Sequence, residues 1–497
     1  MGNVYSTYRK GFPKNLDQPF IEAIDGNVIS YRDLEEQSSS YANGFSDLGL
    51  RSGDIVSVQV DKSPEVIFIY LACLRSNLIF HPINTAYKVN ELSFLLNDAN
   101  PSVFICEKEI FENFSSLKLT KKPEHIFSFS HDKKTSIQSI KRQKFHELEE
   151  LQPDFTAALL YSSGTTGQPK GIELSHENIS SNAKALKEAW GFNASDSLLH
   201  ALPIYHVHGL FIALGCVLLS GSKILWLESF NTDQVIKLLP KSTVMMGVPT
   251  YYTRLLEESK FDKSLTENIR LFVSGSAPLL EETFKQFRER TGHSILERYG
   301  MTETNVICSN PLNGERKPGS VGLPLSNQEL RIVDDDGNDV ESDVIGNIQI
   351  RGQNVFKGYR NLPEKTIEDF SSDGYFNTGD KGYLDSEGYL VIVGRNKDMI
   401  ISGGLNVYPK EVETLIDELE GVKESAVIGL KDRDLGEKVV AIVIKEENSI
   451  LSEDKIIDTL KKDLAGFKVP KNIIFEIELP RNAMGKVQKN ILRDNYQ

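Results

Sequence analysis

At 497 residues the chain is too long for a single small module, since a domain takes roughly 150 residues. Hydrophobic residues make up 40% and charged residues 25%, which is ordinary for a globular chain and excludes collagen-like, low-complexity and disulfide-scaffold classes. Fifty-six Lys and Arg against 70 Asp and Glu leave a net charge of −14, which argues against nucleic acid or an anionic membrane as partner, because both are gripped by clustered cations.

In chain order, residues 31–50 (YRDLEEQSSSYANGFSDLGL) carry a helical pattern, 54–60 (DIVSVQV) a buried strand, 64–76 (PEVIFIYLACLRS) a helix and 102–106 (SVFIC) a short strand. Such alternation marks an α/β layered fold. Residues 131–152 are polar and aperiodic and read as a surface connection. Alternation resumes over 157–306. There GLFIALGCVLL at 209–219 predicts a buried helix, being well short of the ~20 apolar residues that cross a bilayer. Beyond Pro318, GSVGLPL, QELRIVD, GNIQIRG and GYLVIVG are short strands between Gly and Asp-Gly turns, a small β-rich subdomain. After Gly394 a separate α+β pattern follows: helix PKEVETLIDEL, strands ESAVIGL and KVVAIVIK, helix SEDKIIDTLKKDL and strand NIIFEIEL. The predicted architecture is α/β, with a large N-terminal domain over 1–395 and a small α+β C-terminal domain over 396–497.

Cys73, Cys106, Cys216 and Cys308 lie far apart without metal-ligand spacing, which predicts neither a disulfide frame nor a zinc site and fits a reducing cytosol. An organelle matrix is the alternative. The N-terminal MGNVYSTYRKGFPKN lacks the apolar core of a secretory signal, and Thr7 falls one place late for myristoylation.

Residues 161–171, YSSGTTGQPKG, sit between an apolar strand (AALLY) and a second strand (GIELSH). Glycines permit a tight turn that presents backbone N–H groups, hydroxyls add donors and Lys170 adds charge, a combination suited to polyphosphate. It is not a Walker A loop, because Pro169 precedes and Gly171 follows the lysine. With PIYHVHG (203–209), SGSAPL (274–279), ERYGMTET (297–304), NTGD (377–380), GRNKDMIISGGLNVYPKEVE (394–413) and PRNAMGKVQK (480–489) in order, the chain resembles the adenylate-forming superfamily of acyl-CoA synthetases, nonribosomal adenylation domains and firefly luciferase.

That resemblance implies that a carboxylate and ATP give an acyl-adenylate and pyrophosphate, after which a thiol gives a thioester and AMP. It also implies that the C-terminal domain is mobile and pivots near Lys397, where many relatives carry Asp. Ser162, Ser163, Gly164, Thr165, Thr166, Gly167 and Lys170 are then expected around the phosphates. Thr302 would offer its hydroxyl to the α-phosphate, and Glu303 a hard oxygen to Mg²⁺, which prefers carboxylate plus substrate phosphates. Asp380, ending a polar turn, and Arg395 would hold the ribose. Tyr299 would stack on adenine beside Gly275, Ser276 and Ala277, with Glu297 and Gly300 completing the nucleotide site. Lys486 is expected to be catalytic, bridging the attacking carboxylate and the α-phosphate. Ser402, Gly403 and Gly404 would line the CoA channel, and His206 would gate the acyl pocket while His208 serves structure.

The acyl pocket is read separately, because a shared fold fixes the reaction and not the acid. Many ligases carry a small residue immediately before the tyrosine of the YGMTE motif, whereas this chain carries Arg298. A guanidinium in an apolar pocket is costly unless an anion pairs with it. With Arg254 after VPTYYT it would suit a small dicarboxylate, one carboxylate reacting and the other clamped. The alternatives are that Arg298 pairs with Glu297 or another acid of the protein and that Arg254 lies on an exposed helix face. ALPIYHVHGLF, MGVPTYYTRLL and ERYGMTETN resemble the malonyl-CoA synthetases, which selects malonate, although charge alone also accepts methylmalonate, oxalate or succinate. A fatty or aryl acid, and a non-catalytic nucleotide sensor, are competing readings. The expected ligands are malonate or a similar small dicarboxylate, ATP, Mg²⁺ and CoA, with no nucleic acid and no membrane span, in a monomer or homodimer.

Overall fold

The computed structural model describes residues 2–129, 136–142, 152–163, 169–402, 405–433, 435–482 and 485–497, with the side chains of Ser163 and Lys397 left aside. Among these residues the chain forms four sheets of seven, nine, four and five strands. In the seven-stranded sheet the inner strand Ile55–Gln59 lies in parallel register with Ile79–Pro82 and Val103–Cys106. These short strands are buried on both faces, which is why they read as mostly apolar runs. The predicted helix at 31–50 is Tyr31–Asp47. Ser30 caps it by accepting the Asp33 N–H at 3.0 Å, while the Asp33 carboxylate accepts the Ser30 N–H at 2.8 Å.

The nine-stranded sheet runs through Ser197–His200, Val244–Gly247, Leu271–Ser274 and Leu296–Met301 in parallel, and then turns antiparallel at Asn305–Ser309. Residues 209–219 are buried as predicted, but not as one regular helix. A π-helical run, His208–Ala213, precedes the α-helix Leu214–Ser220. Gly209 there lies so close to the Pro203 carbonyl that a side chain would overlap it, and widened turns of this kind concentrate at functional sites. No helix among the described residues is long and apolar enough to cross a membrane.

The β-rich segment after Pro318 forms the antiparallel four-stranded sheet Gln328–Val333, Gly346–Gly352, Phe376–Leu384 and Leu390–Arg395. One expectation is corrected here. NTGD is not a terminal turn but the middle of Phe376–Leu384, where Asp380 pairs in register with Arg395. Gly379, at φ +74°, and a bulge between Lys381 and Gly382 give the strand a turn-like composition.

The five-stranded sheet lies wholly within 400–476, with Gly436–Lys445 between Val422–Asp432 and Asn472–Glu476, and helices Pro409–Asp417 and Glu453–Asp463 as predicted. A last helix, Lys489–Tyr496, carried too weak a pattern to be predicted. Arg493 from this helix pairs with Asp398 at 2.8 Å, and Lys489 pairs with Glu413 at 2.5 Å. These pairs tie the segment just after Lys486 to the start of the C-terminal sheet. Of the predicted connection at 131–152, only 136–142 and 152 are described, and a 3-10 turn over Ile137–Ile140 buries both of its end residues.

Candidate functional site

The strand Leu296–Met301 and its antiparallel partner Asn305–Ser309 are joined by a turn at 302–304. Side chains on a strand alternate between its faces. Glu297 and Tyr299 therefore point one way and Arg298 the other.

On the first face, Tyr299 is buried and donates its hydroxyl hydrogen to Asp380 Oδ2 in a very short bond, while Arg395 Nε donates to Asp380 Oδ1 at 2.9 Å. Burial, reinforced by the Asp380 charge, pushes the Tyr299 phenol well above its ordinary range, and Asp380 raises Arg395. The hydroxyl stays a donor and the guanidinium stays charged. Each Asp380 oxygen keeps a lone pair for a further donor such as a sugar hydroxyl. Glu297 is also buried, and its Oε1 accepts the Leu279 N–H at 2.9 Å.

At the turn, Thr302 is half-buried, whereas Glu303 is buried with its carbonyl accepting the Phe356 N–H at 2.7 Å. Ser162 Oγ, near the end of strand Thr156–Ser163, lies 3.5 Å from Glu303 Oε1. Burial pushes the Glu303 carboxyl up, opposed by Arg395 and Lys170. Lys170, itself buried, holds its ammonium 4.7 Å from the centroid of the Tyr359 ring. Strands Thr156–Ser163 and Pro169–Ser175, the turn and the Asp380–Arg395 pair thus converge. Gly164, Thr165, Thr166 and Gly167 lie outside the described residues, as do Gly403 and Gly404, while Ser402 is buried and pairs with Leu405 and Gly436.

On the opposite face Arg298 is 5% exposed, and its Nε and Nη2 have no hydrogen-bond partner. Burial alone pushes the guanidinium down to about 10. No described carboxylate pairs with it, because the strand pleat aims Glu297 away. His206 and His208 face the same charge. Burial, with Arg298 second, pushes His206 down to about 4 and His208 well below its ordinary value, so both imidazoles are neutral at physiological pH. His206 Nδ1 accepts the His208 N–H at 3.2 Å, and His208 Nδ1 lies 3.2 Å from Ser276 Oγ. His208, expected to serve structure, therefore belongs to this cluster; the H-x-H spacing where the wide helix begins was the available signal.

Arg254 does not join the cluster. It is exposed on helix Pro249–Glu257, so the buried part of the expected two-arginine clamp consists of Arg298 alone. One turn earlier on that helix, Thr250 meets the Lys486 loop: a Cβ on Gly485, at φ +73°, would stand 3.0 Å from Thr250 Oγ1. Asn482 shapes the loop, with Oδ1 accepting the Lys486 N–H at 3.0 Å and its own N–H donating to the Lys486 carbonyl at 2.9 Å. A second bridge, Lys423 to Glu257 at 3.2 Å, reaches the same helix. Asn396 Nδ2 donates to Asn347 Oδ1 at 2.9 Å beside Lys397, whose backbone lies in a 3-10 turn over Asn396–Asp398.

Burial raises the Glu297 carboxyl from 4.5 to about 7. The folded chain therefore holds that proton more tightly than the unfolded chain, and stability falls as pH rises through this window. Glu297→Gln keeps an acceptor for the Leu279 N–H. It should raise the thermal midpoint more at pH 8 than at pH 5 in scanning calorimetry, and equal shifts at both would contradict the assignment.

Residues 13–360 match the AMP-binding enzyme family, and residues 411–486 match the AMP-binding enzyme C-terminal domain. A malonate–CoA ligase of Arabidopsis thaliana is 34% identical over 496 residues, spanning 93% of this chain and 80% of that protein. ATP-bound MatB from Rhodopseudomonas palustris is 41% identical and superposes with a TM-score of 0.95 over 100% of this chain and 99% of that one. Apo MatB, at the same identity and coverage, superposes with a TM-score of 0.84. Sequence identity is equal in the two comparisons, and the chain superposes more closely on the ATP-bound form. With both segments matched in order along one α/β architecture, the chain belongs to the AMP-binding enzyme family.

Proposed function

We propose that the chain is an ATP-dependent acid–thiol ligase that converts malonate and CoA to malonyl-CoA, AMP and pyrophosphate through malonyl-adenylate. The observation that carries this is Arg298, a buried guanidinium with two unpartnered nitrogens between neutral histidines. A buried charge without a counterion costs several kcal/mol, and a ligand bringing a second carboxylate removes that cost. An apolar fatty or aryl tail does not. Similarity to a malonate–CoA ligase and to MatB supports the same reading.

In this account one malonate carboxylate attacks the α-phosphorus of ATP and pyrophosphate leaves. The CoA thiol then attacks the resulting acyl carbon, losing its proton, and AMP leaves. Asp380, Arg395 and Tyr299 hold the nucleoside; Ser162, Thr302 and Lys170 face the phosphates. Glu303 suits Mg²⁺: it is a buried hard-oxygen donor, and the described residues include no group of three or more candidate ligands that would form a closed protein cage. When bound, Mg²⁺ would neutralise phosphate charge. Lys486 would reach the reacting carboxylate from the loop abutting Thr250 and stabilise charge that develops on the phosphorus oxygens. The unit 396–497, pivoting near Lys397, would withdraw that loop and bring Ser402 and its neighbours to the thiol path. Four buried free cysteines fit a reducing compartment such as the cytosol.

AMP release in the presence of ATP and CoA, screened over malonate, methylmalonate, succinate, acetate, octanoate and coumarate, should peak on malonate. Methylmalonate should follow, since one methyl changes pocket affinity by only ~1–3 kcal/mol. A peak on octanoate or coumarate contradicts the proposal. Lys486→Ala should lower malonate-dependent ATP–pyrophosphate exchange by roughly 100-fold or more while leaving thioester formation from supplied malonyl-adenylate largely intact. Equal losses in both half-reactions would contradict the two-arrangement account.

A further inference from the structure

Gly275 follows strand Leu271–Ser274 and precedes Ser276. Its resemblance-based role is to line the adenine, yet its surroundings point elsewhere. A Cβ built on Gly275 would stand 2.5 Å from Arg298 Cζ and 2.9 Å from Cδ, inside the guanidinium. Backbone conformation does not require the glycine: the left-handed residue in this loop is Ser276, at φ +72°, whereas Gly275 has no positive φ. Gly275 is buried and its N–H donates to the Gly247 carbonyl at 3.3 Å, so the loop cannot simply retreat. Space for Arg298 is what that position supplies.

We propose that Gly275 is a specificity-determining position, a floor on which the Arg298 guanidinium lies flat so that its free edge meets the distal carboxylate of a small dicarboxylate. The inference rests on the assignment of Arg298 to that carboxylate. Adding one methyl group would lift the guanidinium rather than remove it. The charge would persist, but the paired N–H groups would lose the plane that a bidentate carboxylate contact needs. Ser276 Oγ, on the following residue, holds His208 from the same loop, so the floor and the neutral imidazole form one unit.

The test is a four-variant cycle of parent, Gly275→Ala, Arg298→Ala and the double substitution. It reads malonate KM by AMP release, ATP affinity by calorimetry and the thermal midpoint. Gly275→Ala should raise malonate KM at least roughly tenfold, the scale of a lost charge-assisted hydrogen bond, with ATP affinity changed less than about twofold. In the Arg298→Ala background, where the clashing side chain is gone, the same substitution should change KM less than about twofold. If Gly275→Ala fails to fold, the double variant should fold. The proposal is overturned if ATP affinity falls in parallel with malonate, if the full penalty persists without Arg298, or if the double variant stays unfolded. Parent-like malonate KM in Arg298→Ala overturns the malonate reading itself, and this inference with it. An Arg298 effect without a Gly275 effect overturns this inference alone.

Discussion

A guanidinium placed in a protein interior either finds an anion or destabilises its surroundings by several kcal/mol, and among the described residues no carboxylate pairs with Arg298. The strand that carries it has Glu297 as the adjacent residue, but the pleat turns that carboxyl to the other face, where the Leu279 N–H and a raised pKa hold it. His206 and His208 supply no counter-charge, because burial first and the Arg298 charge second keep both imidazoles neutral. What is left, among the described residues, is a buried positive charge beside two neutral imidazoles, which suits a negative charge better than an apolar group.

The hairpin of Leu296–Met301 and Asn305–Ser309 makes this possible, because on the proposed reading it would serve two ligands from one rigid element. One face engages Asp380, the proposed ribose contact, through Tyr299. The other carries Arg298, and the turn between the strands carries Thr302 and Glu303. Register fixes the spacing of Arg298, Tyr299 and Glu303, the residues proposed to meet acid, nucleotide and metal, and a one-residue slip would exchange the two faces. The chain's net charge of −14 is overruled locally by Lys170, Arg298 and Arg395, each buried or held by a specific partner.

Much of this was legible in the sequence, for identifiable reasons. Strands such as 55–59 and 103–106 are buried on both faces, mostly apolar and bounded by turn residues, so the sequence pattern located them. Motif order located the hairpin, the phosphate-loop strands and the Lys486 loop. Failures arose where one-dimensional pattern and three-dimensional pairing diverge. NTGD looked like a turn because a glycine with positive φ and a bulge interrupt a strand whose pairing partner lies fifteen residues away, at Arg395. Arg254 is exposed on its helix, the alternative that the sequence itself left open. His208, expected to serve structure, lies 3.2 Å from Ser276 Oγ, a contact between segments far apart in the sequence that no local pattern reveals. The role of Gly275 was hidden for the same reason.

The central claim is that Arg298 recognises the charge of the distal carboxylate. The most direct measurement is the ratio of kcat/KM for malonate to that for malonamate, its nearly isosteric uncharged monoamide, in the parent and in Arg298→Ala. The account predicts a preference for malonate of at least about 100-fold in the parent, the scale of a buried charge pair with hydrogen bonds, collapsing to within about tenfold in the variant. An undiminished preference in Arg298→Ala would show that another group reads the charge, and would contradict the account.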